Sequence, residues 1–252
     1  IVVTNNDPGL AAKRATELGT YLWQHRQEFV GHLAEIDEVL SEASDKPGPI
    51  CLLDMGDNVG GGSPADGTHL LHALHRHGLT NSFVCLYDPG GVEQAAQAKD
   101  GETIELSVGG HTDEQHGKPF KSEFTVLGMY DGKFTEPEPR HGGNTDCDQG
   151  LTAVLRSTDG LTIMLTSRRM PPFSLRQLPS CEIDPSQFHI LVAKGVNAPV
   201  AAYREVCDTL IRVNTPGSTT ADMLLLDYQH RRQPMFPFEQ ETDWQPTAHP
   251  SP

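Results

Sequence analysis

Apolar residues return at helical spacing through the first forty positions: Leu10, Ala11, Ala15, Leu18, Leu22, Phe29 and Leu33. That period predicts an amphipathic helix, with Asp7 as N-cap and Pro8 as first helical residue. Ile36, Val39 and Leu40 begin a second helical piece, which "SDKPGP" ends. The period then changes. "ICLLDM" is an unbroken apolar run, the pattern of a buried strand, and a glycine-rich stretch separates it from a helical stripe over Gly67 to Arg76. "SFVCLYD" predicts a second strand and "PGGVEQAAQAK" a short helix with Pro89 near its first turn. Strand, loop, helix, strand, helix is the order of an α/β layer with parallel strands.

The middle of the chain is strand-rich. "ETIELSVGG", "FKSEFTVLGMYDGKFT", "LTAVLRS" and "LTIMLTS" follow with little helix between them, and the Asp-Gly of "STDGL" predicts a hairpin. "FHILVAKG" is a further strand, "APVAAYREVC" a helix and "TLIRVNTPG" a last strand. The expected fold is α/β: a mixed β-sheet flanked by helices and preceded by a helical lead-in. Residues 1–46 form the lead-in, 47–238 the main domain and 239–252 a Pro-rich tail lying on the surface.

Composition narrows the function classes. Nineteen Lys and Arg face 34 Asp and Glu, a formal charge of −15, which repels phosphate backbones and anionic lipid. Nucleic acid and membrane are thereby excluded as expected partners, and no apolar run approaches bilayer length. The chain opens at Ile1 in a strand-like "IVVT", which reads as an internal cut. Five widely spaced cysteines without a CxxC pair point to a reduced, cytoplasmic setting.

Several loops carry candidate chemistry. In "GDNVGGGSPADGTHL", a strand feeds Gly60, Gly61 and Gly62 and then a helix. Free backbone N–H groups there could cradle an anion, or the loop could be a tight corner with Asp66 or Thr68 capping the helix. It is neither a phosphate loop nor a dinucleotide fingerprint. His69, His72 and His75 share a helix face interleaved with leucines, the pattern of a solvated face rather than a metal site. "GGHTDEQHGKPF" (His111, Asp113, His116) and "HGGNTDCDQG" (His141, Asp146, Cys147, Asp148) hold good ligand types without zinc-motif spacing, and are read as turns. Arg168, Arg169 and Lys194 stand at strand ends, where α/β sheets bind ligands. Arginine's fork suits a carboxylate, although in so acidic a chain both cations could be surface ion pairs. No Gly-x-Ser-x-Gly elbow is present, and no cysteine has an obvious histidine partner.

Taken in order, "DMGDNVGGGSPADGTHLL", "GGHTDEQHGKP", "TAVLRSTDGLTIMLTSRR", "IDPSQFHILVAKGVNAPVAAY" and "NTPGSTTAD" resemble the C-terminal half of microcystinase C (MlrC) type proteins, from about Asp54 to Pro237. The stretch "VVTNNDPGLAAKRA" looks like the close of that family's N-terminal half. The resemblance implies a metal-dependent peptidase, best known for acting on linearised microcystin peptides. Its metal, zinc or another divalent ion, is held by the N-terminal half, so no metal ligand or cofactor is carried onto this chain. His111 departs from the lysine expected in a Gly-Gly-Lys version of its motif.

On this resemblance the expected partners are the N-terminal catalytic half and a peptide or small amide substrate. Asp57 and Asn58 would line the cleft, bonding substrate amides or orienting neighbouring groups. Gly60, Gly61 and Gly62 would let the substrate approach the backbone, and Arg169 or Lys194 would pair with a substrate carboxylate. By itself the chain is expected to be inactive. Two rivals stand beside this reading: a non-catalytic module holding a small anion at the glycine loop, and a local metal site built from His111, Asp113, His116 and His141.

Overall fold

The computed structural model describes residues 1–30 and 33–248, the side chain of His141 excepted. The chain divides into two compact units, residues 33–225 and a smaller one formed by residues 1–32 with 226–252.

In the smaller unit, α1 (Pro8–Gln24) starts as expected, the Asp7 carboxylate accepting the Leu10 N–H at 2.8 Å. The helix ends sooner than its apolar spacing predicts: residues 26–29 form a tighter 3-10 turn. Trp23 packs against Trp244 and Phe236, with ring centroids 5.4 and 6.2 Å away, and the Arg26 guanidinium lies 4.4 Å over the Trp23 ring. Ile1–Thr4 adopt no strand.

The larger unit runs β1 (Ala34–Glu35), α2 (Ile36–Ser44), β2 (Ile50–Asp54), α3 (His69–Arg76), β3 (Ser82–Tyr87), α4 (Pro89–Ala95), β4 (Thr103–Val108), β5 (Phe120–Tyr130), β6 (Lys133–Thr135), β7 (Asp146–Asp148), β8 (Thr152–Ser157), β9 (Thr162–Thr166), β10 (Ile190–Ala193), α5 (Val200–Tyr203) and β11 (Thr209–Asn214). Nine strands form one sheet in the order β1-β11-β2-β10-β3-β9-β8-β5-β4, while β6 and β7 pair separately. From β1 to β9 neighbours are parallel; β8, β5 and β4 continue antiparallel. The expected mixed sheet flanked by helices is thus the observed one.

Period-2 alternation explains why the central strands are apolar throughout. Ile50, Leu52, Val84, Leu86, Ile163, Leu165, Ile190 and Val192 face one core with α2, α3 and α4 residues. Cys51, Leu53, Phe83, Met164, Leu191 and Ala193 face a second, with Leu178, Cys181, Ala202, Tyr203 and Cys207.

Local chemistry sets the junctions. Asp88 caps α4 by accepting the Gly91 N–H at 2.8 Å, with Pro89 in the first turn. The β8–β9 hairpin turns at Gly160, whose φ is +106°. Three expectations are corrected. Leu33 leads into a two-residue strand on β11 rather than extending a helix, because Ala34 pairs with Val213. Residues 146–148, read as a turn, form β7 opposite β6. α3 begins at His69, and neither Asp66 nor Thr68 caps it with its side chain: Thr68 donates to the Lys118 carbonyl at 2.7 Å, and Asp66 bonds residues 111 and 112. Among the described residues no helix is long and apolar enough to cross a membrane.

Candidate functional site

The carboxyl ends of β2, β10 and β11 meet at one point, because these strands are adjacent and parallel. Asp54 ends β2, Lys194 follows β10 and Thr215 follows β11. Lys194 is 4% exposed, and its ammonium contacts Asp54 Oδ2 at 3.0 Å, Asp57 Oδ2 at 2.9 Å and the Gly67 carbonyl at 2.7 Å. An ammonium has three hydrogens, so its donors are fully used.

Both carboxylates are equally committed. Asp54 Oδ1 accepts the Thr215 hydroxyl at 2.5 Å and the Asp57 N–H at 3.3 Å. Asp57 accepts the Ala65 N–H on one oxygen and the Gly67 N–H on the other, at 2.8 and 2.7 Å. Burial by itself would raise the Asp57 carboxyl. The Lys194 ammonium and the Gly67 N–H outweigh it and hold the group at about 2. Burial likewise opposes the charge of Lys194, but Asp54 and Asp57 carry it above the usual lysine range.

This buried triad fixes the glycine loop from below, and Thr219 fixes it from the side. The Thr219 Oγ1 accepts the Asn58 N–H at 2.8 Å and lies 3.0 and 2.8 Å from the Met55 and Gly56 carbonyls. The Val59 N–H reaches the Lys194 carbonyl at 3.2 Å. Gly60 and Gly61 lie in a 3-10 turn (Val59–Gly61) that Gly62 closes at φ +97°, a conformation glycine adopts without a Cβ penalty. Gly60, Gly61 and Gly62 are exposed. Asn58 is half-buried, and among the described residues its side-chain amide has no hydrogen-bond partner.

A third segment closes the assembly. His116, fully buried, holds Asp113 through Nδ1 at 2.8 and 2.9 Å, and its Nε2 accepts the Ser218 backbone N–H at 3.1 Å. The stretches around residues 57, 116 and 218, distant in sequence, are thereby tied into one surface. Arg169 stands elsewhere on the strand ends: exposed, its guanidinium lies 5.1 Å over the ring of Tyr87, the last residue of β3. Val59, Tyr87 and Lys194 line one small recess of about 10 Å³. Arg168, by contrast, is paired with Asp148.

Asp57, Asn58, the three glycines and Lys194 therefore form one cluster, whereas Arg169 is placed by the Tyr87 ring. Sequence reasoning passed over Asp54, Thr215 and Thr219. The signal was a carboxylate ending an otherwise apolar strand, and hydroxyls in a "NTPGSTT" loop that begins at the next strand's end.

The other histidines disperse. His69, His72, His75 and His77 turn to the Gln115 carbonyl, the Lys118 carbonyl, Asp159 and Asp37 respectively. His111 points to the Ser107 carbonyl, and the side chain of His141 lies outside the described residues. Among the described residues no three His, Cys, Asp or Glu side chains gather to hold a metal. The Asp54 and Asp57 carboxylates close on an ammonium instead. These residues do not fit a metal centre.

Fold and site together define an α/β domain whose glycine-rich loop is mounted at the carboxyl ends of parallel strands, the usual binding edge of such sheets. The MlrC C-terminus family model matches residues 52–230, and the chain belongs to that family. Microcystinase C from Sphingomonas sp. is 24% identical over 244 residues, covering 95% of this chain and 46% of that protein. The crystal structure of a candidate metallopeptidase from Mesorhizobium sp. BNC1 is 26% identical with a TM-score of 0.79, covering 93% of this chain and 46% of that one. The chain thus spans about half the length of these relatives.

Proposed function

We propose that this chain forms the substrate-cleft wall of a metal-dependent peptidase that hydrolyses peptide or small amide bonds, the metal being held by the family's N-terminal half. The observation that carries the reading is the mounting of the 56–62 loop. A charged triad with every bond satisfied, a threonine and a buried histidine fix a glycine turn that nevertheless stays open to solvent. Such rigidity is what a site needs to hold a substrate within a fraction of an ångström of a reacting centre elsewhere.

Within the loop the roles divide. Asp57 and Lys194 are spent internally and act as the loop's anchor. Asn58, with its amide free, bonds a substrate amide, and the glycine backbone admits the substrate closely. Arg169, exposed and steadied by Tyr87, pairs with a substrate carboxylate. The metal, when bound by the other half, supplies the activated water and polarises the scissile carbonyl.

The test is made in the full-length parent enzyme with a linear peptide. Asn58→Ala should lower kcat/KM by about ten- to a hundredfold with metal content and melting temperature unchanged. Arg169→Ala should raise KM for substrates with a free carboxylate and leave their amides unaffected. Wild-type kinetics in both variants would remove the loop from the cleft.

A further inference from the structure

A second cleft, of about 470 Å³, opens between the β3–α4 turn and the loop after β4. It is lined by Asp66, Tyr87, Asp88, Gln94, Ser107 and His111, among others, and no lysine or arginine lines it. Two of these groups are buried carboxylates. Asp88 is satisfied: Oδ1 accepts the Gly91 N–H, and Oδ2 accepts the Gly109 N–H at 3.0 Å. Asp66 is not. Its Oδ2 takes three donors, the N–H groups of His111 and Thr112 and the Thr112 hydroxyl, each at 2.9 Å. Its Oδ1, on a residue only 2% exposed, has no partner.

A buried carboxylate oxygen without a donor is costly, and removing that cost calls for an N–H-bearing ligand. His111 Nε2 lies 3.6 Å from Asp88 Oδ2, while among the described residues no basic side chain pairs with Asp66, so the Asp66 carboxylate sets the sign of that ligand. A metal ion is disfavoured by the donor set, since no three ligating side chains converge among the described residues. The cleft is also many times larger than an ion. We infer that it binds an organic primary ammonium group, with Asp66 Oδ1 as its principal acceptor and Asp88 supplying further negative potential. This inference stands apart from the peptidase reading and does not depend on it.

The test is titration of the 252-residue chain with n-butylammonium chloride, followed by amide NMR, with 1-butanol and sodium chloride as controls. Saturable shifts are expected at Gly91, Gly109, His111 and Thr112 with the amine alone. Asp66→Asn should abolish them. Because Asp66 also holds the 111–112 loop, a second variant keeps the test decisive: Gln94→Lys places an ammonium in the cleft from an exposed position on α4. It should weaken binding about tenfold or more, equivalent to about 1.4 kcal/mol, without changing the fold. Non-saturating shifts, equal shifts with butanol or salt, or undiminished binding in Gln94→Lys would overturn the inference.

Discussion

Replacing Lys194 by methionine tests the central physical claim, that the glycine loop rests on a buried ion triad. Methionine keeps most of the side chain's apolar stem and removes the charge and three donors. The carbonyl of Gly67 then loses its ammonium partner, and Asp54 and Asp57 are left as two buried carboxylates facing each other. Breaking a buried pair from one side costs about 3–5 kcal/mol, because an uncompensated charge remains. For a folded unit of this size that lowers Tm by roughly 6–20 °C, read by circular dichroism and checked by urea titration. The triple variant Lys194→Met/Asp54→Asn/Asp57→Asn removes the stranded charges and should recover much of the loss. The deficit of Lys194→Met should also depend on pH. Asp57 loses the ammonium that holds its carboxyl at about 2, so the stability this group contributes above about pH 4 is lost in the variant, and the deficit shrinks as pH falls toward 2. A Lys194→Met chain within about 1 kcal/mol of the parent at neutral pH, the behaviour of an exposed pair, would refute the argument.

Other outcomes follow from the same geometry. The Asp57 carboxyl, depressed from 3.8 to about 2, contributes about 2 kcal/mol above pH 4 that is lost as pH falls through about 2; urea midpoints should fall across that window, and less steeply in Asp57→Asn. Gly56→Ala places a Cβ 2.3 Å from the backbone carbonyl oxygens of Thr215 and Pro216, neither of which can swing away. It should cost about 3 kcal/mol or more, seen as a large fall in Tm or in soluble yield. Burial raises the Cys207 thiol to about 12, so in the native chain at pH 8 it should react with a disulfide reagent only after urea is added; rapid labelling would contradict its placement.

Much of the fold was legible because the two periods of the chain differ sharply. Buried parallel strands such as β2 and β10 show as unbroken apolar runs, and α3 shows as leucines between histidines. What the pattern could not show was pairing by elements too short to carry a period. β1 and β7 have two and three residues and exist because β11 and β6 offer open edges. The helix expected over 198–207 contracts to Val200–Tyr203, since Ala202, Tyr203 and Cys207 all turn to the second core before the chain enters β11.

The site was legible in its members and illegible in its connections. Asp57, Asn58, the glycines and Lys194 could be picked out as chemically active types, but sequence carries no sign that a lysine after β10 spends its donors on carboxylates 140 and 137 positions earlier and on the Gly67 carbonyl. Through that connection the most charged residues of the motif bond one another. An ammonium held by three partners has no donor left for a further group unless one of those partners is given up. On the proposed reading the groups left to bond a substrate are the less conspicuous ones, the Asn58 amide and the Arg169 guanidinium. The acidic and basic residues that draw the eye hold the loop that carries Asn58, while Arg169 rests on the Tyr87 ring.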